Sequence, residues 1–174
     1  MNLQECYSQI LEKLKRGERP LIKLSVDDLN ELKNLWDQTS ERESVHKILC
    51  VLDNTQTLSS LFDDHIIECL APSNDEETII FTLSVASKHI MSHRMRSGDP
   101  VPVSFIDTLG ELLAHKNPEV LEWSLRTIAE LGRAAKRLRP LLIKHRPGFS
   151  AIFNVHKRHA QEIIDLIERT WQGP

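Results

Sequence analysis

The side chains whose type and spacing best suit chemistry are histidines. His89 and His93 stand four apart in Lys88-His-Ile-Met-Ser-His93, on one face of a helix and at a spacing that two ligands of a metal ion can use. A zinc-protease helix carries glutamate directly after the first histidine and takes a third ligand from elsewhere; Ile90 occupies that place. The expectation is therefore two histidines at the surface or half-buried beside an apolar stripe, with no metal. His156 and His159 face each other three apart, but Lys157 and Arg158 lie between them and oppose a cation. Cys6, Cys50 and Cys69 are odd in number and far apart, without a C-x-x-C pair. That pattern suggests neither a disulfide framework nor a thiolate zinc site.

The carboxylates have plain structural roles. Asp27-Asp28 falls at a helix start, where it complements the dipole. Asp63-Asp64 is expected on the solvated side of a helix. No glycine-rich phosphate loop, nucleophile elbow or dinucleotide fingerprint occurs in the chain. No enzymatic activity, cofactor or small-molecule ligand is expected. Among the tryptophans, Trp36 closes an apolar triplet and belongs to a core. Trp123 lies between Leu121 and Leu125, in core or groove, and Trp171 is placed to close the last hairpin.

Charge is the sharpest feature. Residues 1–87 hold 16 acidic and 8 basic side chains, net −8, whereas residues 88–174 hold 9 acidic and 14 basic, net +5. Between Arg133 and His159 there is no acid at all, while Arg133, Lys136, Arg137, Arg139, Lys144, Arg146, Lys157 and Arg158 supply eight cations. A solvated face normally mixes signs to relieve repulsion. These eight residues are the candidate binding set, for an anionic partner; a merely solvated face, or one balanced by the acidic half in an oligomer, is the alternative.

Elements that could position this set are helices. Six glycines and 5% aromatics are too few for a turn-rich sandwich or barrel. Apolar residues recur at three and four, which predicts helices near 2–16, 26–38, 41–53, 58–71, 75–95, 104–115, 118–131, 134–146 and 151–171. Expected N-caps are Ser25, Ser40, Asn74, Ser104 and Asn117, the last followed by proline at the first helical position. Pro140 is expected to interrupt or restart the eighth helix. The segment Ser97 to Val103, with Pro100 and Pro102, is an extended connector that could also make contacts. Predicted core positions are Leu35, Leu49, Ile67, Leu70, Leu83, Leu109, Leu112, Leu125, Ile128 and Leu141.

A faint internal repeat underlies these stripes. Leu32-x-x-Leu35-Trp36, Ile67-x-x-Leu70-Ala71, Leu109-x-x-Leu112-Leu113 and Leu138-x-x-Leu141-Leu142 share one apolar triplet, at intervals of about 35, 42 and 29 residues, near the length of a two-helix solenoid unit. One such hairpin cannot bury its stripe alone, so neighbours stack. Leu109 to Gly132 resembles a HEAT repeat. Leu112 and Leu113 end its first helix, Asn117, Pro118 and Val120 form its turn, and Ile128, Ala129, Leu131 and Gly132 continue the second helix. Leu121 stands where that family usually has arginine, and His115 where an acid is common. The resemblance implies a single all-α domain over 1–174: a right-handed α-α superhelix, or solenoid, of three to four stacked HEAT-like (armadillo-like) hairpins plus an N-terminal helix.

Such a fold is expected to act as a non-catalytic scaffold or adaptor that binds a protein or peptide. The basic C-terminal surface would recognise the anionic partner. The alternatives are nucleic-acid-backbone binding by that surface and, as a resemblance to HEAT-like DNA glycosylases would imply, an enzyme with an acidic residue and aromatics beside the basic patch. No run reaches the roughly 18 apolar residues of a membrane span. Polar Gln4, Glu5, Gln9 and Glu12 break the apolar core that a signal peptide needs. With free cysteines, this places the expected location in the cytoplasm.

Overall fold

The computed structural model describes residues 2–147 and 155–172. Helix α1 spans Leu3–Lys15, α2 Val26–Asp37, α3 Arg42–Asp53, α4 Asp63–Cys69, α5 Glu76–Ala86, α6 His93–Ser97, α7 Val103–Leu112, α8 Pro118–Leu131, α9 Arg139–Lys144 and α10 Val155–Gln172. Short 3-10 stretches precede α4 at Ser60–Phe62 and α9 at Gly132–Leu138, and a π turn at Ser87–Ser92 joins α5 to α6. Among the described residues no strand forms; a single parallel bridge pairs Ile22 with Thr55. The start of the last helix predicted at 151 lies outside the described residues.

The chain is all-helical because its local signals agree with its apolar spacing. Ser25 and Asp28 form a reciprocal capping box on α2, and Asn117 caps α8 ahead of Pro118. Three expected caps move. Glu41 rather than Ser40 precedes α3, because the Thr39 hydroxyl already accepts the Glu41 amide. Asn74 instead closes α4, its side-chain amide donating to the Glu68 and Cys69 carbonyls. Asp75 then takes the cap role, accepting from the Thr78 amide at 3.0 Å. Pro102, with φ near −57°, starts α7 one residue earlier, so Ser104 falls inside the first turn.

Two compact units result, residues 1–66 with 84–97 and residues 67–83 with 98–174. In the first, α1 and α2 pack on α3, around Ile10, Leu32, Ile48, Leu49 and Leu52, all buried. Leu35 is only half-buried. The extended chain at Ile22–Leu24 is tied to Asn54–Thr57 through the Ile22 amide and carbonyl and the Thr57 hydroxyl. Trp36 is a core residue, its ring centroid 5.0 Å from His65 and 6.0 Å from Phe62.

In the second unit, α7 pairs with α8, and α10 packs on α8 and on the 3-10 stretch Gly132–Leu138. The indole of Trp171 donates to the Gly132 carbonyl at 2.7 Å, which ties the C-terminal ends of α10 and α8 together. At the opposite ends Lys157 and Ala160 of α10 meet Pro118 and Leu121 of α8. Helices α8 and α10 therefore run parallel. Gly132, at φ +54°, breaks α8 where a side chain would be strained, and Pro140 has no amide to extend a helix backward. The intervening turn tightens to 3-10 geometry, in which Ala135 and Leu138, three apart, share a face and are both buried. This retiming corrects one predicted core position. Leu142 is fully buried, whereas Leu141 is 37% exposed and lies against Gly110 at the edge of α7. Ile67 is half-buried; Leu49, Leu70, Leu83, Leu109, Leu112, Leu125 and Ile128 are buried as expected.

Candidate functional site

Within the first unit the π turn gathers polar groups. The Lys88 ammonium meets the Asp53 carboxylate at 2.9 Å and also the Asp53 carbonyl, so it neutralises the negative end of α3. The Ser84 hydroxyl donates to the same carboxylate at 3.1 Å. His89 departs from the expected surface or half-buried position and is fully buried, where the π turn Ser87–Ser92 carries it. Its Nε2 faces the Leu52 carbonyl at 3.1 Å and must carry the proton, leaving Nδ1 to accept from the Ser59 amide at 3.4 Å. Burial holds its pKa below the usual 6.5, against the two backbone hydrogen bonds. A neutral ring so engaged is a clasp between α3 and the chain before α4, with no nitrogen left for a metal. His93 is half-buried.

Asp63 is another correction. It is 7% exposed rather than solvated, and pairs with the Arg94 guanidinium at 2.5 Å. Burial nevertheless pushes its carboxyl above the ordinary range, outweighing the arginine. Asp64 is the solvated member of the pair. Burial also pushes the Cys50 and Cys69 thiols up to about 11 and raises Cys6. All three stay protonated at neutral pH and make poor nucleophiles.

The predicted basic set lies in the second unit. Arg133, Lys136 and Arg137 sit on the 3-10 stretch, Arg139 and Lys144 on α9, Arg146 just beyond it, and Lys157 and Arg158 in the first turn of α10. All eight are exposed. Tertiary packing brings acids that the linear run lacks to at least two of them. Arg137 meets Asp107 of α7 at 3.2 Å, and Arg146 meets Asp165 and, at 3.1 Å, Glu168 of α10. Among the described residues no carboxylate is within ion-pair reach of Lys136, Arg139, Lys144 or Arg158. The eight are strung along the unit rather than gathered at a point. Arg133 adjoins the C-terminal ends of α8 and α10, and Lys157 the N-terminal ends, about 21 Å away for a helix of this length. His159 is exposed, and the side chain of His156 lies outside the described residues.

Beside Lys157 is a cleft of about 280 Å³ lined by His115, Lys116, Pro118, Leu121, Pro147, Lys157 and Ala160. Sequence reading missed Lys116 because it falls before the acid-free run, and treated His115 only as a departure from a repeat pattern. Its signal was the basic pair directly ahead of the Asn117-Pro118 turn. A second groove of about 450 Å³ in the first unit is lined by Asn2, Leu3, Gln4, Glu31, Leu35, Ser44 and Lys47, where one acid and one base leave no net sign. Trp123 is 41% exposed and lines neither.

Comparison of the chain with protein-family models, curated proteins and solved structures finds no match. Among the described residues no helix is long and apolar enough to cross a membrane.

Proposed function

We propose that the chain is a helical-repeat scaffold that binds an acidic protein or peptide through the basic side of its second unit. The observation that carries this is the exposure of Lys136, Arg139, Lys144 and Arg158, with no carboxylate partner among the described residues. Four such cations gain more from an anionic partner than from one another. The right-handed superhelix of HEAT-like hairpins belongs to this reading, and the stacking within the second unit fits its hairpin order. Its α7–α8 pair is followed by a second pair, and the second helices of both, α8 and α10, run parallel as equivalent helices of successive repeats do. The unpaired, protonated cysteines fit a reducing cytoplasm.

Nucleic-acid binding uses the same cations, and their spread along about 21 Å of helix favours it as the second reading. Reversing Lys136 and Arg139 together to glutamate tests the surface. Loss of polyglutamate binding, with unchanged helicity, is the expected result. Tight binding of duplex DNA but not polyglutamate, with log affinity falling about 0.9 per phosphate contact against log salt, would move the assignment to nucleic acid.

A further inference from the structure

Resting on that proposal, the geometry points to a specific anchor site. The cleft at the N-terminal ends of α8 and α10 takes a bulky apolar side chain, flanked by carboxylates, from an acidic segment of a protein partner. Pro118, Leu121, Pro147 and Ala160 give it apolar walls, while His115, Lys116 and Lys157 give it three basic side chains. Lys116 and Lys157 are both exposed, and an ammonium has three donors, so contacts already made do not exhaust it. The His115 Nδ1 accepts the Asn117 amide at 3.1 Å. With Nδ1 accepting, the ring carries its proton on Nε2, a further donor for a carboxylate. No acid is among the described lining residues.

Size and lining choose the occupant. About 280 Å³ falls just under the range of sites that enclose a whole small molecule, and suits one side chain with its neighbours left on the rim. A phosphate backbone would gain nothing from a floor of proline, leucine and alanine. Among the described lining residues there is no phenyl or indole ring to stack a base. An acidic peptide uses both features: carboxylates on the lysines for steering, and a desolvated apolar anchor for residence.

The test is fluorescence anisotropy of the full chain with two labelled acidic decapeptides, one carrying a central Leu-Phe pair and the other Ser-Ser in its place. The Leu-Phe peptide is expected to bind about tenfold tighter or more, as loss of a buried anchor implies. Paired Lys116→Glu and Lys157→Glu should remove that preference. The Lys136→Glu, Arg139→Glu pair should weaken both peptides and keep the preference. Equal binding of the two peptides, or full preference after reversal of Lys116 and Lys157, overturns the cleft while leaving the basic surface standing. Binding of neither peptide overturns both.

Discussion

At the residue scale, His89 and Asp63 carry opposite linkages. Burial holds His89 below its ordinary 6.5, so beneath that pH the unfolded chain binds the proton first and stability falls as the solution is acidified. Asp63 is raised from 3.8; its contribution is full below that value and is lost as pH rises through the folded one. Urea melts between pH of about 7.5 and 5.5 lie above most of the carboxylate range, and comparison with His89→Gln separates this histidine from the other seven. His89→Gln should flatten the pH slope there, and cost about 1–3 kcal/mol at the upper end through the buried hydrogen bonds it disturbs. An equal slope in both proteins would place the titration elsewhere. Arg94→Met should cost about 3 kcal/mol by stranding a buried carboxylate. Adding Asp63→Leu should recover part of that loss, and denaturant midpoints read both changes.

At the scale of elements, the 3-10 stretch sets which face of α9 is inside. Leu142→Ala should cost about 2–5 kcal/mol and Leu141→Ala under about 1 kcal/mol, because only the first empties an enclosed site. Similar losses would mean that the helix is not phased by Gly132 and Pro140. Leu112→Ala and Leu125→Ala, both fully buried, should each fall in the range of about 2–5 kcal/mol. Trp171→Phe should cost about 1 kcal/mol by leaving the Gly132 carbonyl without its donor. Calorimetric melts check the whole series.

At the scale of the molecule, an acidic and a basic half of the sequence give a net charge of only −3, so the proposed partner would respond to local rather than to net charge. If the partner is an acidic protein, raising salt should chiefly slow association, and the apolar anchor should preserve a residual affinity. Stopped-flow measurements at several ionic strengths would show this as a falling on-rate with a nearly constant off-rate. A steep loss of affinity on both limbs, with duplex DNA as the tighter ligand, would favour phosphate contacts instead.

Helix positions were legible in the sequence because capping and apolar periodicity are local. Ser25 with Asp28, Asn117 with Pro118, and the stripe through Leu109, Leu112, Leu125 and Ile128 report conformations set by near neighbours. The candidate cations were legible as an acid-free run, but not which of them stay available. Asp107 reaches Arg137, and Asp165 and Glu168 reach Arg146, only once separate helices pack. Burial of His89 and Asp63, and the joining of His115 and Lys116 to Lys157, came from the same cause. A pattern along one helix sets which way its residues face. What they face depends on contacts between groups tens of residues apart, and packing alone decides those.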